Sequence, residues 1–506
     1  MNDFKRPDLQ ARIQAYKEKM TPKTTSDAIS QYKDKLFNEL TLIKSTEGIP
    51  YVIFEREGRK DLFEINSSNF YNALSSYYTE LNTDFIEPSE LKRIISGATA
   101  YALDSNDQQS VSARLMKTED KLIYNLDNKN TVIVISEAGI ETVDNSELNY
   151  LFVHTSNMKS QVFPDLSAKP LNLIPMLKQL LKISEDDYLL LAVYICSLFI
   201  PDIHHPIFTA YGDYGSGKST ALRTIGEIVD PSSRGLLFLN RKSQKDLIIS
   251  LTRSYFTAFD NTSGRITEDI VNLFCQVVTG GTVSMRQLYK DTDEVVLKLK
   301  RCLALNGTEI VGKRNDLMER SLLIKFSRLD SDTLISDSDY EVLLSDLKPK
   351  ILGSVFSILS RAMKLHSEKQ YVLPIKQRML EWMEWGYCIA ESIRKGFGAK
   401  FCTDYTANLT KSNAVAVDDN PYIACIEAYV KENGSFIGSS TEFYENIFTY
   451  AVENGFDTRS KMFPSCATQV WQKMKAYNVN LAKSGIIIHE PVNKGRHREL
   501  KILKSE

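Results

Sequence analysis

Apolar and polar positions alternate in short runs through the first third of the chain. Tyr51–Phe54, Lys121–Leu126, Thr131–Ile135 and Tyr150–Val153 read as strands, joined by polar turns such as Asp127–Asn130. A helical repeat over Ser67–Leu81 interrupts them, and residues 1 to about 48 carry Lys and Glu at helical spacing with a break at Pro22. Pro170 opens a helical stretch that runs to Phe199. Its apolar run Tyr188–Ile200 is shorter than the ~20 residues of a membrane span, so it predicts a buried helix. From Ile207 to about residue 328, strands and helices alternate, the pattern of a parallel sheet with crossover helices. Residues 340 to about 398 read as helix, 403–420 as a polar linker, and the last ~85 residues as mixed structure.

These shifts divide the chain into 1–168 (an α+β region), 169–335 (a core of alternating strands and helices), 336–418 (a helical segment and linker) and 419–506 (a mixed C-terminal domain). The expected class is α/β. Composition adds exclusions. At 43% hydrophobic and 25% charged residues, the 506-residue chain is neither disordered nor fibrous. The net charge of -2 offers no global attraction for nucleic acid, so a DNA-binding surface must be a local patch. Seven scattered cysteines without a CxxC pair suit a reduced cytoplasmic protein without zinc, and the polar N-terminus lacks a signal core.

The strongest local signal is GDYGSGKS at Gly212–Ser219, which fits G-x-x-x-x-G-K-[ST]. Glycines at 212, 215 and 217 let backbone N–H groups, with Ser216 and Thr220, wrap the phosphates of ATP. Lys218 reaches the β- and γ-phosphates, and Ser219 ligates Mg²⁺. A chance match of the four fixed positions is expected in about 2% of chains this long. The strand before and helix after lower that further.

Phosphoryl transfer needs a second acid for the metal. The apolar run Tyr255–Phe259 ends in Asp260, about 40 residues after the loop, where a neighbouring strand could end. A strand-ending turn Asp is the plainer alternative. Asn261 follows where many such ATPases carry a Glu, so either Asn261 positions water or another carboxylate is the base. The run Cys302–Leu305 ends in Asn306, suited to orienting water at the γ-phosphate, although Asn-Gly is also a common turn. Arg320, ahead of the strand Leu322–Phe326, is a candidate arginine finger reaching a neighbouring subunit's ATP. Arg314 is the runner-up, and a solvated Arg is locally the commoner case.

Between Asp260 and Asn306, residues 279–300 read as a β-hairpin with Arg286, Tyr289 and Lys290 toward its tip. In a ring, such a tip can face the channel and grip single-stranded DNA through its phosphates. An ordinary exposed hairpin fits the same pattern. At the C-terminus, a helix from Pro464 to about Tyr477 and two strands joined by a basic turn resemble a winged helix. Lys473, Lys494, Arg496 and Arg498 are its candidate DNA contacts. A protein-binding winged helix or a solvated basic tail is the alternative.

Taken in order, FDNTS from Phe259, TGG from Thr279, RQLYKDTDE from Arg286, LNG from Leu305 and DLMERS from Asp316 resemble the superfamily 3-type AAA+ ATPases of phages and mobile islands. These include the helicase half of poxvirus-type primase-helicases. KLIYNL from Lys121 and AGIE from Ala138 resemble the segment before the P-loop there. The similarity spans roughly residues 100 to 400. Size and C-terminus are similar to the self-loading replication-initiator helicases of staphylococcal pathogenicity islands. The resemblance implies an AAA+ P-loop core between an N-terminal α+β region and a C-terminal winged-helix domain. It implies a homohexameric ring, ATP-driven unwinding, origin recognition by the C-terminal domain and replication or regulatory proteins as further partners. It carries Lys218, Ser219, Asp260, Asn306 and Arg320 onto the roles above. No primase-type acidic motif is apparent, and no membrane partner is expected. The rival readings are an ATP-switched origin-binding regulator without unwinding and an AAA+ protein remodeller.

Overall fold

The structure, a computed structural model, describes residues 36, 39–56, 59–82, 85–105, 108–128, 130–239, 244–252, 254–262, 266–286, 294–310, 314–328, 335–374, 378–418, 420–460, 462–494 and 497–505. The molecule is mixed α/β. Strands β1 (Leu40–Ser45), β2 (Pro50–Arg56) and β3 (Arg59–Glu64) form an antiparallel meander. Helices α1 (Ser68–Asn82) and α2 (Pro88–Asp104) cover one face of it. Period-two alternation sends Val52 and Phe54 to these helices, and Tyr51 and Leu62 to a second cluster with Ile43. The helical reading of residues 1–48 therefore ends early. Leu40–Ser45 pairs with β2, with Leu42 opposite Val52, because Thr41 and Ile43 suit a pleated strand and the turn closes at Gly48 with φ +80°. Helix α2 was not anticipated at all.

A second antiparallel meander follows: β4 (Leu115–Lys117), β5 (Lys121–Asn125), β6 (Thr131–Ser136) and β7 (Gly139–Asp144). Helix α3 (Leu173–Leu180) and helix α4 (Tyr188–Ser197) come next, separated by a break that divides the helical stretch expected from Pro170. All ten residues of α4 are buried.

The central sheet is five-stranded and parallel. Its strands are β8 (Ile207–Gly212), β9 (Leu237–Phe238), β10 (Phe256–Asp260), β13 (Cys302–Gly307) and β14 (Ser321–Phe326), in the order β9-β10-β13-β8-β14. The crossover helices are α5 (Lys218–Val229), α6 (Gln244–Thr252), α7 (Glu268–Val278) and the short α8 (Asn315–Met318). Between α7 and β13, β11 (Thr282–Arg286) pairs antiparallel with β12 (Glu294–Lys298).

Both faces of the parallel sheet are buried. Phe208, Ala258 and Ala304 face one core; Phe259, Leu303 and Leu305 face the other, under α6 and α7. The first core also takes Leu122, Tyr124, Ile133 and Ile135 from the second meander, so packing crosses the 168/169 boundary expected from sequence. Buried Arg114 fixes this junction. It reaches Asp230 at 3.3 Å and donates to the carbonyls of Asn125 (3.0 Å) and Lys159 (2.7 Å). Asp230 in turn accepts from the Tyr255 N–H at 2.9 Å, at the start of β10. Tyr124 Oη closes the same joint by donating to the Val229 carbonyl at 2.9 Å.

Helices α9 (Asp337–Ser367), α10 (Leu380–Ile393) and α11 (Phe397–Asp418) pack beside the sheet. The expected linker over 403–420 is thus a helix up to Asp418. Its polar residues serve the fold. Asn408 accepts from the Leu323 N–H at 3.1 Å and donates to the Leu323 carbonyl at 2.6 Å, so a side-chain amide pairs the free edge of β14. Ser412 Oγ donates to the Met318 carbonyl at 3.0 Å.

The last segment has its own core, running from Tyr422 to Ile502. It comprises α12 (Pro421–Asn433), β15 (Phe436–Ser439), α13 (Ser440–Glu453), α14 (Ala467–Met474), α15 (Asn478–Lys483), β16 (Ile486–Lys494) and β17 (His497–Lys504). The sheet order is β15-β17-β16, antiparallel, with a bulge between His489 and Val492. Among the described residues, no helix is long and apolar enough to cross a membrane.

Because Asn408 is buried and satisfies both backbone groups of Leu323, Asn408→Leu is expected to destabilise the fold by roughly 2 kcal/mol or more. Chemical denaturation checks this; an unchanged midpoint would show that water replaces the amide.

Candidate active site

The site forms where three neighbouring parallel strands end on one edge of the sheet. β8 delivers the glycine loop, which turns into α5 with Lys218 as its first residue. The glycines are conformationally required. Gly212, Gly215 and Gly217 have φ of +134°, +71° and +81°. A Cβ at Gly212 would stand 2.0 Å from the Phe326 carbonyl oxygen on β14. The hydroxyl of buried Ser216 donates to the Asp213 carbonyl at 2.8 Å and pins the loop. Lys218 Nζ lies back over the loop, donating to the carbonyls of Gly212 (2.8 Å) and Asp213 (2.5 Å) and to Ser216 Oγ (3.1 Å). Burial pushes this ammonium below its ordinary pKa, opposed by Asp213 and Asp260. Thr220 lies in the first turn of α5, where its carbonyl accepts from Thr224 Oγ1.

Strands β10 and β13 bring Asp260 and Asn306 beside Ser219. Ser219 Oγ donates to Asp260 Oδ1 at 2.9 Å, and Asn306 Nδ2 donates to the same oxygen at 2.7 Å. Asn306 Nδ2 also lies 3.2 Å from Ser219 Oγ, and its Oδ1 accepts the Asn261 N–H at 2.7 Å. Thus one buried amide reads two residues of the neighbouring strand end. Asn261 is held at φ +50°, a left-handed conformation that Asn tolerates better than most side chains. Thr262 then bonds back to the Asn306 carbonyl through N–H (2.8 Å) and Oγ1 (2.6 Å). The hydroxyl of Ser219 and carboxylate of Asp260 are hard oxygen donors, a fit for Mg²⁺, which takes few protein ligands and completes its shell with phosphate and water.

Arg320 is elsewhere. Its backbone carbonyl accepts from Ile207 N–H, at the start of the strand whose far end is the glycine loop, so it sits ~17 Å from that loop along the sheet. It cannot serve its own chain's site. The two nearby arginines are occupied: Arg314 binds Asp316 and Asn272, and Arg378 binds Glu319 at 3.0 Å. Arg320 has only the Asp316 carbonyl, at 2.6 Å, and its buried Nε has no acceptor among the described residues. Burial lowers its pKa, and nearby Arg378 lowers it further. Sequence reading missed Arg378, because the sequence distance from Arg320 hides their proximity.

Tyr289 and Lys290 lie outside the described residues, as does the Arg286 side chain; the backbone of β11 and β12 does form the expected hairpin. At the C-terminal end, Lys473 Nζ donates to the Phe463 carbonyl at 2.7 Å and is half-buried, so it braces α14. Arg498 Nε reaches Asn493 Oδ1 across the hairpin at 3.2 Å. The Lys494 side chain and Arg496 are outside the described residues.

Residues 175–410 match the family model described as actinomycete integrative conjugative element replication protein. No curated protein matches the chain. Among solved structures, it is similar to the A-form apo structure of the NrS-1 C-terminal region, with 12% identity, coverage of 94% of this chain and 98% of that one, and a TM-score of 0.40. A second apo structure of that region, residues 305–718, shows 11% identity, coverage of 95% and 99%, and a TM-score of 0.40. The JCV helicase bound to a thiazolopyridine acetamide shows 14% identity, coverage of 45% and 65%, and a TM-score of 0.26.

The loop geometry sets a graded expectation. Gly212→Ala should cost roughly 3 kcal/mol, the upper end for an overpacked site, because the obstacle is backbone. Gly215→Ala, with open space at its Cβ, should cost only ~1 kcal/mol of left-handed strain. Thermal unfolding of both variants checks the order.

Proposed function

We propose that the chain is an ATP-driven replicative DNA helicase of the AAA+ type that also takes part in replication initiation. The observation that carries this reading is the convergence of Ser219, Asp260 and Asn306 beside the glycine loop, on three neighbouring strand ends. The strand order and the hairpin inserted before β13 suit an AAA+ core with a channel loop. The match to a replication-protein family supports the biological setting.

ATP would lie along the loop, its phosphates held by backbone N–H groups and by Lys218 released from the loop carbonyls. Mg²⁺, held by Ser219 and Asp260, would screen the phosphate charge. Asn306 would hold Asp260 and the strained Asn261 in register. Arg320 would act on a neighbouring subunit's ATP, since the register of β8 and β14 keeps it from its own. That requirement favours a ring, with a hexamer as the proposed state. Arg286, Tyr289 and Lys290 would line the channel and track a single strand. The helix and strand order of the C-terminal segment supports reading it as a winged helix, which would bind duplex or origin DNA.

Strand displacement on a forked DNA with ATP and Mg²⁺ tests the motor. Lys218→Ala should abolish both hydrolysis and unwinding, whereas Lys290→Ala should lose unwinding and keep hydrolysis. Hydrolysis by the parent protein with no unwinding on any fork would overturn the helicase reading in favour of an ATP-switched regulator.

The shared site makes a second expectation. Arg320→Ala alone should lower ATP turnover by about 10³-fold. Mixing it with Lys218→Ala should restore part of the activity, because some interfaces then pair an intact loop with an intact arginine. Hydrolysis assays of the mixture check this; no recovery at any ratio would mean that the two residues do not act across one interface.

A further inference from the structure

The basic C-terminal segment has a helix with two exposed polar side chains, Gln472 and Lys475, that no other side chain engages among the described residues. Helix α14 buries Val470 and Met474, with Trp471 packed partly against the same core. Thr468, Gln472 and Lys475, at helical spacing, form its exposed face, with Lys475 opening the next turn. The remaining polar side chains on this helix, Thr468 included, are committed. Lys473 braces the Phe463 carbonyl at 2.7 Å. Gln469 Oε1 accepts from the Ser465 N–H and hydroxyl, both at 3.2 Å. The Thr468 hydroxyl pairs with Cys466 Sγ at 3.1 Å.

We infer that Gln472, flanked by Lys475, is the base-reading residue of this domain and that Lys473 is a structural brace. The inference rests on the proposed DNA-binding role of the C-terminal segment. Charge complementarity names the occupant as duplex DNA. After Pro464 the chain carries Lys475, Lys483, Lys494, Arg496, Arg498, Lys501 and Lys504, besides the bracing Lys473, against three acids, one of which, Glu499, pairs with Lys501 at 3.5 Å. A helix presenting a free carboxamide suits the major groove, where an amide donates to and accepts from one adenine edge. Lys475, one turn on, can take a phosphate or a guanine edge. The β16–β17 hairpin follows α15 in the chain and carries Arg498 on the same sheet. A bulge between His489 and Val492 interrupts the register of this hairpin.

The test is selection of a random duplex library by the full-length protein at fixed salt, followed by sequencing of the bound fraction. The parent protein is expected to enrich a motif. Gln472→Ala should flatten preference at one or two adjacent positions by about tenfold, with affinity for random duplex within about threefold of the parent. Gln472 is exposed, so this variant should fold, and its unfolding midpoint is recorded alongside. Lys473→Ala should keep the motif and lower the unfolding midpoint. An unchanged motif in Gln472→Ala, or a motif lost in a folded Lys473→Ala, overturns the inference alone. Failure of the parent protein to bind any duplex overturns the DNA-binding reading of the C-terminal segment beneath it.

Discussion

A parallel sheet has no face to give to water, and the rest of this molecule answers that constraint. Crossover connections place helices over both faces, so its strands must be apolar on both sides. Ile207 and Phe208, adjacent on β8, point into different cores. The demand propagates outward. Helix α4 lies wholly within the first core and is apolar all round, so it needs its own cover. That cover comes from Tyr124 and its neighbours in the second meander and from Phe356 on α9; Tyr124 and Phe356 both meet Phe199 edge-on, at 5.1 and 5.4 Å. Regions distant in sequence become one packed body because a buried helix cannot end the stack.

The same constraint positions chemistry. Parallel strands end together on one edge, so residues 219, 260 and 306 meet without any local sequence relation. Arg114 and Asp230 secure the opposite side of the joint, tying the end of α5 to the start of β10. Such a buried pair adds little net stability over a well-packed apolar one, but loss of either partner leaves a charge without compensation. Its value here is register: it fixes where α5 ends relative to β10, and hence where Ser219 stands relative to Asp260.

Much of this was legible in the sequence for identifiable reasons. The glycine loop has fixed spacing, because its contacts are made within eight consecutive residues. Asp260 and Asn306 were readable because each ends an apolar run, and a strand end is a local feature. Asn408 was not. A polar helix residue that pairs a strand edge looks like linker composition until the strand is in view. Leu40–Ser45 was missed because flanking Lys and Glu residues mimic a helix, whereas its pairing with β2 depends on a partner strand. Lys473 reads from the sequence as a contact because it is a charged residue near a basic hairpin; that its ammonium donates to the Phe463 carbonyl of its own chain is visible only in the fold.

Asn261 shows how backbone and chemistry compete for one position. The Glu that the resemblance leads one to expect here would place a second carboxylate beside Asp260, but φ at this position is +50°. A side chain without a local hydrogen-bonding habit costs roughly 1 kcal/mol in that conformation, and Asn costs less. The conformation is not free to relax, because the Asn261 N–H is taken by Asn306 and the next residue is bound twice to the Asn306 carbonyl. The identity of residue 261 is therefore coupled to Asn306 through the backbone. A Glu at 261 would have to carry that strain or loosen the grip of Asn306. An Asn at this position is therefore compatible with the tight hold of β13 on the end of β10 in a way that a Glu is not.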